Sequence, residues 1–269
     1  MELRGCMNTT LSRLRSFGHS LLFPTVRTNR CDGVIHILAF VLMFIDHSGK
    51  MLFHNMEIMR ILGRMAFPLF AYSLAVGVIF SHDSHKYLTR IALLALVSQP
   101  LYALGLAHEN AAMYSVPFFK NPLLACLTFY LNSWQTPSIL LSLCLALGIL
   151  IAIREKNLIL AIALYVLCER FAGSFDYGIH GIRLILLFYF FSQYPILFAI
   201  VSGGYLLWWS ASTGSSYAIL GQRFSMEVFA LPAILFCAFP LPRTFRLPRW
   251  LTYGFYPAHL LLLAILSKI

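Results

Sequence analysis

Asp46 and His47 stand side by side in LMFIDHSGK, where an apolar run that opens near residue 33 comes to its end. An acid and a base inside such a run are expensive to hold away from water and by default mark a functional site. Neighbours on a helix point about 100° apart, so the two do not face each other as members of a triad do. The spacing predicts that Asp46 meets Arg64 or Arg60 on the next helix and that His47 is left to face a substrate. A neutral imidazole suits the work of a general base. The plainer reading makes Asp46 half of an ion pair and His47 an interfacial side chain.

Arg60 and Arg64, at i and i+4, share one helix face. Guanidinium groups match phosphate geometry, so the two read as a clamp for an anion such as the phosphates of a coenzyme. The bland alternative is an internal ion pair with Asp46 or Glu57. Further along, FDYGIHGIR (175–183) sets two glycines three apart at the start of a span, a spacing that lets helices pack closely. His180 and Arg183 share a face there, with Asp176 or Glu169 as partners. His54 and His259 are the alternatives to His47 if the helix end falls a turn away. His82 and His85, in SHDSHK, read as solvated loop histidines.

Such residues need a scaffold, and the composition says what kind. Of 269 residues, 59% are hydrophobic and 11% charged, less than half the charge of an ordinary soluble domain, which is about 25%. Apolar runs recur along the whole chain, as in an all-α, polytopic membrane protein whose helices satisfy their own backbone in lipid. Spans are expected near 33–52, 58–80, 91–106, 137–153, 158–170, 178–192, 194–211, 225–240 and 250–267, about nine in all, with eight to ten as the range. Residues 1–32 form a basic cytoplasmic tail ahead of one transmembrane domain, 33–269.

The net charge of +10 is scattered between apolar runs, which reads as a topology signal and not as a nucleic-acid surface. With PLLACLTFYL (122–131) kept at the interface and the N-terminus inside, the inner segments carry twelve Lys/Arg and the outer ones five. Counting that stretch as a tenth span lowers the bias to ten against seven. Nine spans place most of the ionisable residues named above, His259 excepted, towards the outer leaflet. The six cysteines lie mostly in apolar runs with no CxxC pair or Cys/His cluster, so neither a metal site nor a disulfide framework is expected. No phosphate-cradling glycine loop is present.

LAFVLMFIDHSGK followed by ILGRMAFPLFAYSLAVG resembles the opening of the TraX family, membrane proteins associated with N-terminal acetylation of F-type pilin. The shared pattern falls on Asp46, His47, Gly63, Arg64, Ala66, Phe67, Pro68, Phe70 and Ala71. Two later blocks keep the family's order: YGIHG, with Tyr177, and FYPAHLLLLAIL, with His259. Residues 1–32 and 107–136 carry none of these motifs. The likeness implies an acetyltransferase of the bacterial inner membrane that uses acetyl-CoA as donor, no metal, and a pilin N-terminus as acceptor. It also implies that His47 acts as base or as acyl-bearing nucleophile, that Asp46 and Arg64 fix the geometry, and that Arg60 or Arg64 holds donor phosphates or the developing oxyanion. Tyr177, His180 and Arg183 are further candidates.

Other functions use the same residues. One is O- or N-acetylation of a surface glycan. A proton-coupled transporter is another, although no internal repeat of the usual transporter kind is visible. A third is a scaffold for pilin assembly without chemistry.

Overall fold

The structure is a computed structural model, and it describes residues 32–54, 56–106, 115–174, 176–213, 216–239, 245 and 247–267. The basic tail expected over 1–32 falls almost wholly outside them. Helix α1 (Asp32–Met51) leads through a short turn to α2 (Glu57–Gly63) and α3 (Ala66–Phe80). There follow α4 (Ser84–Leu106), α5 (Pro122–Ser133), α6 (Ile139–Arg154), α7 (Leu158–Arg170), α8 (Gly178–Phe191) and α9 (Pro195–Thr213). A hairpin, β1 (Tyr217–Ile219) and β2 (Gln222–Phe224), precedes α10 (Leu231–Ala238) and α11 (Arg249–Leu266).

Among the described residues, four helical stretches are long and apolar enough to cross a membrane: Gly33–Met51, Glu57–Phe80, Ser84–Leu106 and Pro195–Thr213. Shorter apolar helices, Pro122–Ser133, Ile139–Arg154, Gly178–Phe191 and Met226–Ala238, accompany them. Large apolar side chains line the outer surface, among them Leu93, Val97, Ile159, Ile162 and Ile200. The interior is closed by Tyr72, Phe188 and Phe198. An apolar perimeter of this extent suits lipid and not water, as a multi-pass helical membrane protein requires.

Local chemistry explains the helix boundaries. Asn121 and Asn157 cap α5 and α7 by accepting from the backbone N–H of Leu124 and Leu160. Pro68 interrupts the second span: its ring clashes with the carbonyl four residues back, at Arg64, while its missing N–H is harmless in a first turn. The helix therefore ends at Gly63 and restarts at Ala66. Pro100 likewise frees the carbonyl of Leu96 inside α4, and Tyr130 donates its hydroxyl to that oxygen at 3.4 Å. Gln99, fully buried, donates to the carbonyls of Ser133 and Thr136 and accepts from the N–H of Ser138. The turn between α5 and α6 is thus hung from α4.

Contacts at one end of the bundle settle how the helices run. Arg154, at the close of α6, donates to the carbonyls of Val78 and Ser81 and to the Ser84 hydroxyl. The ends of α3 and α6 and the start of α4 therefore meet, so α5 adds no crossing between them. Gly33 donates its N–H to the Phe245 carbonyl, and the Phe40 and Phe70 rings meet at 5.8 Å, which brings the starts of α1 and α11 to the same end. Reporter fusions after residues 90, 156 and 248 should accordingly give one and the same signal, cytoplasmic if the basic segments face inward. A split among the three would break this arrangement.

The hairpin is the element absent from the sequence reading. Its turn residues Leu220 and Gly221 both have positive φ, 50° and 80°, the requirement of a type I′ turn. Ser210 on α9 holds its far end, donating its hydroxyl to the Ser225 carbonyl and accepting the Ser225 N–H.

Candidate functional site

Gly63 decides how closely α1 and α2 approach. A Cβ on it would lie 2.2 Å from the Cβ of Asp46, so no larger residue fits without moving the aspartate. Through this gap Asp46 reaches both arginines. Arg60 Nη1 donates to Oδ2 at 2.5 Å, and Arg64 Nη2 donates to Oδ1 at 2.9 Å. The expected partner of Asp46 is thus both guanidinium groups together. Glu227 stands 4.0 Å from the second nitrogen of Arg64. The Nε–H of Arg64 is buried with no hydrogen-bond partner among the described residues.

Two later sequence blocks complete the site. Gly178 has φ of +54° and starts α8, a conformation that favours glycine. A Cβ on Gly181 would press on Tyr177 at 2.8 Å and Phe67 at 3.1 Å. With that space open, Tyr177 stacks on Phe67 at 4.2 Å and lies beneath the Arg64 guanidinium at 5.7 Å.

His47 Nδ1 lies 2.8 Å from His259 Nε2. The ring planes are within 14° of parallel and their centroids are 5.0 Å apart, the geometry of an in-plane N–H···N bond. The other nitrogen of His259, Nδ1, is 2.9 Å from the Phe255 carbonyl. A carbonyl only accepts, so His259 carries its proton on Nδ1 and offers a lone pair at Nε2. His47 must then donate from Nδ1, which leaves its Nε2 unprotonated. That lone pair belongs to a half-buried ring lining the large cavity. His259, counted in sequence as a substitute for His47, is instead its partner.

The cavity encloses about 660 Å³, within the range of about 300–1,000 Å³ usual for ligand sites. Asp46, His47, Arg60, Arg64 and Tyr177 line it, as do Lys50, Asp176 and Tyr102. The lining continues to the opposite end of the bundle at Ser81, Arg90 and Arg249. At the site's own end, Tyr217 of the hairpin donates its hydroxyl to Glu57 at 2.6 Å. That bond pushes the phenol up to about 12.

The remaining candidates lie apart. His54 is exposed in the turn after α1 with φ of 50°, and it does not line the cavity. His180 contacts the Tyr205 hydroxyl at 3.0 Å and stacks on Trp209 at 5.3 Å. Arg183 donates to Tyr165 and to both oxygens of Glu169. They form a second cluster, which meets the site where Trp209 reaches Tyr177 at 6.1 Å. Cys126, Cys144, Cys168 and Cys237 are free thiols.

Residues 32–267 match the protein family described as TraX protein, and the chain belongs to that family. The matched range includes 107–136, which carries none of the motifs read from the sequence. The chain is also similar to the probable fimbrial assembly protein FimC, serogroup H1, of Dichelobacter nodosus. They are 25% identical over 260 residues, a match that covers 85% of this chain and 92% of that protein. No solved structure matches the chain.

Proposed function

Taking membership of the TraX family as the premise, we propose that this chain is an acetyltransferase of the bacterial inner membrane. It moves an acetyl group from acetyl-CoA to an acceptor amine, the N-terminus of a pilin subunit. The family's link to pilin acetylation and the name of the fimbrial relative support the choice of acceptor. The observation that carries the chemistry is the His47–His259–Phe255 chain of hydrogen bonds, which leaves Nε2 of the cavity-lining His47 ring unprotonated.

His47 acts as general base. The acceptor nitrogen attacks the thioester carbonyl, and His47 Nε2 takes the proton the amine loses. The carbon–sulfur bond then breaks, and the proton passes from His47 to the departing coenzyme thiolate. His259 accepts the Nδ1 hydrogen bond throughout, holding the ring in one tautomer. The unpartnered Nε–H of Arg64 is a donor available to the oxyanion, and Asp46 fixes Arg60 and Arg64 in place.

The test is a reaction with protein purified in detergent, acetyl-CoA and a peptide bearing the pilin N-terminus. Expected are release of coenzyme A thiol and a peptide heavier by one acetyl group. Release with a glycan amine and not with the peptide would move the acceptor. No release with either would overturn the acetyltransferase reading.

A further inference from the structure

The arginines that recommend themselves as phosphate ligands in the sequence are already engaged. Arg60 and Arg64 share the carboxylate of Asp46. Both reach across the α1–α2 contact to the residue next to His47, and Lys50 follows His47 by three residues on α1 itself. Phosphates held there would leave the thioester at the far end of its arm, distant from the imidazole.

Among the described residues, two other cations line the cavity, Arg90 on α4 and Arg249 on α11. Both are exposed, and neither has a hydrogen-bond or ion-pair partner among the described residues. Two of their basic neighbours at that end, Arg154 and Lys86, are occupied. Arg154 is bound to two carbonyls and a hydroxyl. Lys86 lies 3.0 Å from Asp83 and holds that carboxyl below its usual range.

Arg90 and Arg249 also stand level with each other. Helices α4 and α11 run side by side in the same direction, and a Cβ on Gly105 would lie 3.9 Å from the Cβ of Ala264. Fifteen residues back along each helix are Arg90 and Arg249. From Arg249 to His259 is ten residues of α11, about 15 Å at ~1.5 Å per residue. The pantetheine arm of coenzyme A, from phosphate ester to sulfur, has the chain length of a little over four extended residues. At about 3.5 Å each that also comes to about 15 Å.

We propose that Arg90 and Arg249 hold the phosphates of a coenzyme A thioester at the mouth opposite His47, with the pantetheine arm lying along the cavity so that its acyl end meets the His47–His259 pair. The assignment rests on the acetyl-CoA reading above. It makes the two ends of the cavity different sites: a phosphate grip among the basic segments at one end, and an acyl-transfer site at the other. Donor and acceptor then enter from opposite sides of the membrane.

Steady-state transfer by wild type, Arg90→Gln, Arg249→Gln, the double variant and Lys50→Gln is the test, with acetyl-CoA and with S-acetylpantetheine, which lacks the phosphates. Each arginine variant should raise KM for acetyl-CoA about tenfold, the usual loss for one charge-assisted contact, with kcat little changed. The effect should shrink with added salt, because the mouth is open to water. With S-acetylpantetheine all five proteins should behave alike, which shows that the variants are folded and the acyl-transfer end intact. An unchanged KM for acetyl-CoA in the double variant, or a rise confined to Lys50→Gln, overturns the proposal and leaves the acetyltransferase reading standing. Wild type that uses neither donor removes both.

Discussion

His47→Ala gives a folded protein that binds acetyl-CoA normally and transfers acetyl groups about 10²- to 10⁴-fold more slowly, the typical cost of a lost general base. The alanine removes one partner of the His47–His259 bond, and His259 keeps its own bond to Phe255. The packing around α11 is therefore preserved. His259→Ala should be milder, about ten- to a hundredfold, the scale found for groups that orient metal-bound histidines. In that variant His47 is free to carry its proton on either nitrogen, and only one of the two tautomers presents a base to the cavity. His54→Ala should be normal, since His54 lies exposed beyond the end of α1. Release of coenzyme A thiol, followed for all three variants, checks the ordering. Full activity in His259→Ala would dismiss the hydrogen-bond chain as a catalytic device, and full activity in His47→Ala would move the base elsewhere.

Asp46→Asn should fail in a different way, through stability. It leaves the Arg60 and Arg64 guanidinium groups without their shared carboxylate, and the side chains of the three are only 21%, 13% and 10% exposed for Arg60, Arg64 and Asp46. Breaking a buried pair by removing one charge costs about 3–5 kcal/mol, and Glu227 at 4.0 Å offers Arg64 only weak relief. The variant should accumulate poorly and melt early in detergent. Adding Arg60→Gln, which lowers the uncompensated charge, should restore part of the lost stability. Asp46→Asn that melts like wild type and yet transfers nothing would make Asp46 a participant in the chemistry.

The meeting of Asp46 with Arg60 and Arg64 was legible because all three lie on consecutive helices joined by a short turn, where helical spacing dictates which faces oppose. The pairing of His47 with His259 was not. These residues are 212 positions apart, and no periodicity within either helix says which distant helix it lies against. The glycines of the sequence blocks gave a related signal. Gly63 and Gly181 stand where segments of the chain pack closely, but a glycine does not name the side chain that fills its space. The hairpin escaped because three-residue strands are too short to show an alternating pattern. Arg90 and Arg249 were visible only as topology charges: a basic residue that fixes orientation and one that binds phosphate look alike in sequence.

The cavity has a further consequence, for the ion gradient of the membrane that encloses it. Its lining reaches from Lys50 and Asp176 near one end to Ser81 and Arg249 at the other, and water along such a path would be a conduit for protons. Among the described residues of the lining, five are cationic, Lys50, Arg60, Arg64, Arg90 and Arg249, against two anionic, Asp46 and Asp176. The surplus of positive charge raises the energy of any hydronium on the path, as an arginine in a narrow pore turns protons away from a water channel. The Asp46–Arg60–Arg64 cluster, set close to the His47–His259 pair, thus does electrical work besides its chemical one. On the proposed reading, in which an acyl donor lies along this cavity, the same charges would also keep the membrane insulated against protons.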